Sequence, residues 1–243
     1  MTSFALLNNV EHKDIKIQSG YSAEMGDGVM YTMTFPFEFR SVQAEYPILL
    51  HKDLSNNLIY PVALFGFQDK ENLFLDEGGW HASYKPLMIR RQPFLIGFQG
   101  EQAAESAERR RVVSIDLNNP RISRTEGQPL FDEFGANTPY LEEAANMLEA
   151  IHEGHEHSKK FIAALEEHSL IESLTIDITL DDGSKNQLLG FYFINEDKLQ
   201  ALAGEVLESF SQRGFLMPIF MMLASMSNIS DLVSKKNRLE GLS

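Results

Sequence analysis

The stretch that most constrains the fold runs from Asn72 to Phe98, NLFLDEGGWHASYKPLMIRRQPFLIGF. Leu73-Phe74-Leu75 reads as extended chain, and Asp76-Glu77-Gly78-Gly79 as a tight turn. Trp80, Tyr84, Leu87 and Met88 then recur at i, i+4, i+7 and i+8, the spacing of one helical stripe. Pro86 interrupts a continuous helix, so the regular turn is expected to begin near Lys85. Arg90 and Arg91 fall in its last turn, where the negative end of the helix dipole favours cations. Pro93 stops the helix and Phe94–Phe98 forms a strand. A strand–turn–helix–strand unit cannot bury its apolar side alone, so the rest of the chain must supply a core around it.

The remainder is large enough to do so. A chain of 243 residues with 43% hydrophobic content can bury a full core. Zero cysteines exclude disulfides, thiolate metal sites and cysteine nucleophiles, and suit a reducing compartment. A formal charge of −14 repels nucleic acid and anionic membrane, so neither is an expected partner. The N-terminus MTSFALLNNVEHKD lacks the basic and apolar regions of a secretory signal. The apolar run Phe215–Met226 contains Pro218 and is too short to span a bilayer, so no membrane span is expected. The expected location is the cytoplasm.

Strand periodicity dominates the first half. Val29, Tyr31, Met33 and Phe35 share one face and Thr32 and Thr34 the other, closed by Pro36. Ser41–Tyr46 allows one or two helical turns. Residues 47–51 and 58–67 read as two strands joined by the polar turn Asp53–Asn57, and Pro61 predicts an edge or a bulge in the second. Gln99–Arg110 is a polar connection, and Val113, Ile115 and Leu117 mark a returning strand. Asn118–Thr138, with four Pro and Gly breakers and no period, is the expected internal boundary; only Leu130-Phe131 looks buried there.

The second half is mainly helical. Thr138 can cap and Pro139 suits the first position of a helix striped by Leu141, Ala144, Leu148, Ile151, His155, Ile162 and Leu165, with a bend anticipated at Gly154. Leu174–Leu180 alternates, the turn Asp181–Ser184 follows, and Gln187–Ile194 is apolar on both faces, as in a central strand. Asn195 caps a helix that Gly214 closes, and Pro218 opens a last helix ending in a polar tail, Ser234–Ser243. The pattern predicts an α+β fold: a mainly antiparallel sheet from the strands between Val29 and Leu117, and a helix-rich C-terminal half with its own hairpin. Residues 1–243 read as one domain, divisible into a sheet-rich part (1–125) and a helix-rich part (137–243).

Four groups of residues invite chemistry. Trp80, Tyr84, Arg90 and Arg91 can line a pocket with an aromatic wall and a cationic end, a common arrangement for a carboxylate-bearing ligand; a core aromatic pair with dipole-compensating arginines accounts for them more simply. His51 and Asp53 form an H-x-D pair on one strand face, as a two-histidine, one-carboxylate iron site needs, but no distal histidine is identifiable. His152, His155 and His157 do not converge on a helix: His157 points about 160° from His155. Met217, Met221, Met222 and Met226 suit either an adaptable groove or a buried helix face. No serine-hydrolase elbow, phosphate loop or dinucleotide fingerprint is present, so no catalytic residue, cofactor or metal is assigned.

Several segments together resemble the SapC family of bacterial proteins. They are Glu45-Tyr46-Pro47-Ile48, Ala63–Gly66, Asn72–Asp76, Gly79-Trp80 and Arg90–Phe94. Ser114-Ile115-Asp116, Gly127–Asp132 with Gly135, Gly190-Phe191, Gly214–Leu216 and Ser225–Asn228 extend the likeness over roughly Val10 to Leu232. The resemblance implies a name taken from bacterial surface layers and a neighbourhood of tryptophan halogenase-like, cupin-like and TonB-dependent receptor proteins. It carries no established catalytic residues. The leading expectation is a non-enzymatic accessory protein that binds a protein partner, a small molecule or a peptide undergoing modification or uptake. The alternatives are a metal-dependent oxygenase or hydrolase using His51, Asp53 and a distal histidine, and a surface-layer structural component.

Overall fold

The computed structural model of the chain describes residues 3–99 and 110–242. In order they form β1 (Phe4–Leu6), β2 (Lys16–Ile17), β3 (Tyr31–Met33), α1 (Phe39–Val42), β4 (Ile48–Lys52), β5 (Ile59–Leu64), β6 (Leu75–Asp76) and β7 (Gly79–Trp80). Next come α2 (Leu87–Arg90), β8 (Phe94–Gln99), β9 (Arg110–Asp116), β10 (Ile122–Ser123) and β11 (Gln128–Pro129). The remainder is α3 (Pro139–Glu167), β12 (Ile171–Thr179), β13 (Lys185–Ile194), α4 (Glu196–Gln200), α5 (Gly204–Gln212), α6 (Leu216–Ser225) and α7 (Asn228–Leu239). Antiparallel sheets with a helix-rich C-terminal half make this an α+β fold, as the sequence predicts. The segment 100–109, expected to be a polar connection, lies outside the described residues.

Two compact units share the chain. The first combines Met1–Asp27 with Leu87–Glu153, and the second Gly28–Pro86 with Gly154–Ser243. The division therefore passes through α3, and residues 118–138 lie inside the first unit.

In the first unit β1, β9 and β8 form an antiparallel sheet whose register sets Ala5 and Phe94 opposite Ile115. Strand alternation then turns Ile115, Phe94, Ile96 and Val113 to one face. That face meets the α3 stripe Leu141, Ala144 and Leu148, together with Ile15, Ile17, Leu130 and Phe131. Leu130 and Phe131 are buried, as expected from their isolation in a polar stretch. A second small sheet, β10-β2-β11, needs Gly127: at φ +112 it suits glycine, and a Cβ there would run into the Ile17 carbonyl.

In the second unit the order is β12-β13-β4-β5-β3. The C-terminal hairpin is therefore not a separate element. Phe191 and Tyr192 of β13 pair with His51 and Leu50 of β4, which extends the first-half strands into one five-stranded sheet. Pro61 also differs from expectation, because β5 is interior rather than an edge. The Pro61 carbonyl accepts from Thr34 N at 3.0 Å, so its nitrogen faces β3 just past the last β3 pair, Met33–Val62. A missing donor is tolerated where the ladder has already ended.

The helical expectations for Trp80–Arg91 are also revised. Trp80 lies in the β6–β7 hairpin, and only Leu87–Arg90 is helical, because Pro86 confines the regular turn to the residues after it. The helix starting at Asn195, whose side chain accepts from Lys198 N at 2.8 Å, breaks into α4 and α5. The C-terminal tail is helical to Leu239. Residues 216–239 are long and apolar enough, by length and composition, to cross a membrane, with a mean hydropathy of 1.4 over an 18-residue window. Here they are divided into α6 and α7, with Ile219, Met222 and Leu232 fully buried. Of the methionine cluster, Met222 is core and Met217 is exposed.

No break occurs at Gly154, which is helical and buried. Its role is close approach. The stacked rings of Phe35 and Phe37, 5.7 Å apart, lie so near that a Cβ at 154 would sit 2.6 Å from Phe37 and 2.7 Å from Phe35. Alanine would gain up to about 1 kcal/mol of helix propensity but overpack two rings, which costs roughly 1–3 kcal/mol. Gly154→Ala is therefore expected to lower stability by about 1–2 kcal/mol in urea unfolding. A stabilised variant would show that the rings can move away.

Candidate functional site

Trp80 and Tyr84 are tied into the second unit. Trp80 Nε1 donates to the Tyr46 hydroxyl at 3.0 Å, and that hydroxyl donates to the Tyr84 carbonyl at 2.6 Å. The Tyr84 hydroxyl donates to the buried Glu38 carboxylate at 2.7 Å, whose other oxygen accepts from Thr34 at 3.2 Å. Burial pushes the Tyr46 phenol well above its ordinary range, outweighing the Trp80 hydrogen bond, so this hydroxyl stays protonated near neutrality. Rings of Tyr46, Phe65, Phe74 and Trp80 pack around it. Only 7% of Trp80 is exposed, so its indole serves the core.

Arg90 and Arg91 belong to the first unit and diverge there. Arg91 donates to the Phe94 carbonyl at 2.8 Å, closing the turn that contains the cis Gln92–Pro93 peptide. Arg90 instead reaches Glu143 of α3 at 3.2 Å.

His51 lies between two tyrosines: Nε2 is 3.2 Å from the Tyr31 hydroxyl, and Nδ1 is 3.2 Å from the Tyr60 hydroxyl. Burial holds its pKa below the ordinary imidazole value, with Asp53 acting in the opposite direction. Asp53 itself caps Ser55, whose N and Oγ donate to it at 2.8 and 2.7 Å. His155 packs edge-on against Phe35, and His157 lies beside Phe215. Among the described residues no three His, Asp or Glu side chains are grouped to hold a metal.

The first unit contains a cavity of about 250 Å³. Ile17, Ile89, Phe94 and Met147 give it apolar walls and Tyr21 and Tyr140 aromatic ones; Arg90, Gln92, Arg121 and Glu143, with Gln18 and Ser19, are its polar groups. A mainly apolar lining with few convergent polar groups is the pattern of small-ligand sites.

Arg121 builds this cavity. It is only 4% exposed, and its Nη2 meets both Asp27 oxygens at 2.9 and 2.7 Å. Nη2 also reaches the Gly20 carbonyl at 3.3 Å, and Nη1 donates to the Met25 carbonyl at 2.5 Å and to Gln92 Oε1 at 3.4 Å. One guanidinium thus gathers residues 20–27, the turn at Gln92 and the Asn119–Ile122 segment. Burial raises the Asp27 carboxyl above its ordinary pKa, while Arg121 and the Ser22 N–H pull it back. Arg121 also stands 5.6 Å from the centroid of the Tyr21 ring. Burial raises the phenols of Tyr21 and Tyr140, so both remain neutral donors at physiological pH.

At the rim, Arg90 and Glu143 differ in character from the buried pair. Their side chains are 35% and 68% exposed, so their mutual attraction is worth at most about 1 kcal/mol and is readily exchanged. A family model described as SapC matches residues 7–232. The chain belongs to the SapC family. No curated protein and no solved structure gives a match. In this SapC protein the cavity takes one of the four residues the sequence singled out, Arg90. It adds Tyr21, Arg121, Tyr140 and Glu143, which sequence reasoning missed. Tyr140 sits beside Pro139 but off the helical stripe, and Asp27 lies between two glycines; those placements were the available signals.

Breaking a buried ion pair leaves an uncompensated charge, so Arg121→Met is expected to cost about 3–5 kcal/mol in urea unfolding. Adding Asp27→Leu should restore most of that loss, because the isolated charge is then gone. Losses below about 1 kcal/mol for Arg121→Met would contradict the role given to this pair.

Proposed function

We propose that this SapC-family protein is a non-enzymatic accessory protein that binds a small zwitterion, an amino acid or the end of a short peptide, in the first-unit cavity. The observation carrying this reading is the opposed pair at the rim. Arg90 offers a fork of donors to a carboxylate, and Glu143 offers an acceptor to an ammonium. A zwitterion replaces each partner with one of like charge and leaves no charge unpaired. Behind the rim, Tyr21, Tyr140, Phe94 and Met147 favour an apolar or aromatic side chain, and the volume suits one such residue rather than a large cofactor.

A binding role is supported by the kind of groups present. The lining holds no imidazole or thiol, its two phenols are kept neutral by burial, and its one carboxylate, Glu143, is paired with Arg90. The ligand class agrees with what the SapC resemblance implies, an accessory role around modification or uptake of a small molecule or peptide. In this reading the protein acts in the cytoplasm and presents or buffers its ligand for a partner.

Calorimetric titration with L-amino acids and dipeptides tests this directly. Phenylalanine or an aromatic dipeptide should bind, its N-acetyl and amide derivatives at least tenfold more weakly. Arg90→Ala and Glu143→Gln should each weaken binding by roughly 10–100-fold, the value of one charge-assisted hydrogen bond. No binding by any of these compounds, or binding indifferent to Arg90→Ala, would overturn the proposal.

A further inference from the structure

A separate groove lies within the second unit, between the β6–β7 hairpin with its flanks and the C-terminal half of α7. Its volume is about 350 Å³. Leu73, Leu75 and Leu239 supply an apolar surface, and Lys235, Arg238 and His81 stand around it. We infer that this groove binds a small amphipathic carboxylate, an anion with a short alkyl or aryl tail.

Three observations carry the inference. The first is how α7 divides its cations. Lys236 turns inward and is neutralised twice, by Glu71 and Glu240, each at 2.7 Å. Lys235 and Arg238 turn to the groove. Among the described residues neither has a carboxylate within 4.0 Å; Arg238 Nε donates only to the Ser234 carbonyl at 3.3 Å, and the Lys235 ammonium rests 4.7 Å from the centroid of the Phe74 ring. Cations near a helix C-terminus are favoured by the dipole alone, but the dipole does not require an apolar surface beside them.

The second is the state of the groove's own acid. Asp76 is held by His81 at 2.5 Å and by the Gly78 N–H at 2.7 Å. Both bonds fall on Oδ1 and, His81 first, hold its carboxyl below the ordinary pKa, while neither α7 cation comes within ion-pair distance of it. The third is exposure. Leu239 is 69% exposed beside Arg238, in a chain of net charge −14 whose surface repels anions generally. A carboxylate held by Lys235 and Arg238, with its tail over Leu73, Leu75 and Leu239, would cover apolar surface and pair both cations in one step. The aromatic face of Phe74 supports the ammonium in place while the ligand binds.

The experiment uses octanoate as probe, with acetate and octanamide as controls, followed by amide chemical-shift mapping on the full chain. Octanoate should shift residues 73–81 and 235–239, with acetate and octanamide each at least tenfold weaker. Lys235→Ala with Arg238→Ala should abolish the shifts, while the far-ultraviolet circular dichroism spectrum stays that of the parent protein, because Arg238 is exposed and Lys235 only half-buried. Arg90→Ala should leave these shifts intact, which separates this site from the first-unit cavity. No shifts with octanoate, equal shifts with acetate, or shifts that survive the double substitution would each overturn the inference.

Discussion

The first unit depends on the contact between Arg121 and Asp27. Both side chains are out of water, at 5% and 0% exposure, and the guanidinium also donates to two backbone carbonyls. A buried ion pair is seldom a net source of stability, because desolvation of each charge costs several kcal/mol. Its value here is geometric. Residues 20–27 have little regular structure beyond one tight turn, so a cation that takes the Gly20 and Met25 carbonyls does the work that a sheet ladder does elsewhere. Tyr21 is thereby positioned as a cavity wall without a strand or helix to hold it.

The second unit solves a similar problem with aromatic groups. The hairpin β6–β7 is two residues deep on each side, too short to stand alone. It is held by Trp80 donating to Tyr46, by Tyr46 donating to the Tyr84 carbonyl, and by Glu45 accepting from the Ser83 N–H at 2.9 Å. Ring faces of Phe65 and Phe74 fill the space around these bonds. The stretch from Asn72 to Phe98 thus contributes to both units: its first part is clamped by the Tyr46 network, and its second part carries Arg90 to the cavity rim.

Much of this architecture is legible in the sequence, for reasons that differ by residue. Strand alternation at Val113, Ile115 and Leu117, the stripe on α3, the Asn195 cap and the turn at Asp181–Ser184 are local patterns, and local physics reproduces them. Trp80 departs from its helical spacing because Gly79, at φ +108, begins a hairpin strand that a local period does not encode. Pairing of β13 with β4 joins residues 140 positions apart in sequence, such as Phe191 and His51, and no local pattern encodes it. The site divides in the same way. Arg90 was visible as a cation beside a proline stop, whereas Arg121 lies in a stretch with no period, and its partner Asp27 is 94 residues away. A buried pair of that separation is set by tertiary structure alone.

SapC family membership names no chemistry, and the first-unit cavity stands or falls with one buried guanidinium that preforms it. Hydrogen–deuterium exchange on the folded Arg121→Met, Asp27→Leu double variant isolates that claim from global stability. Fast exchange is expected across residues 18–27 and 119–123, with β4 and β5 of the second unit as protected as in the parent protein. Unchanged protection across 18–27 would mean that the segment holds its shape without Arg121, and the cavity would then have a different origin.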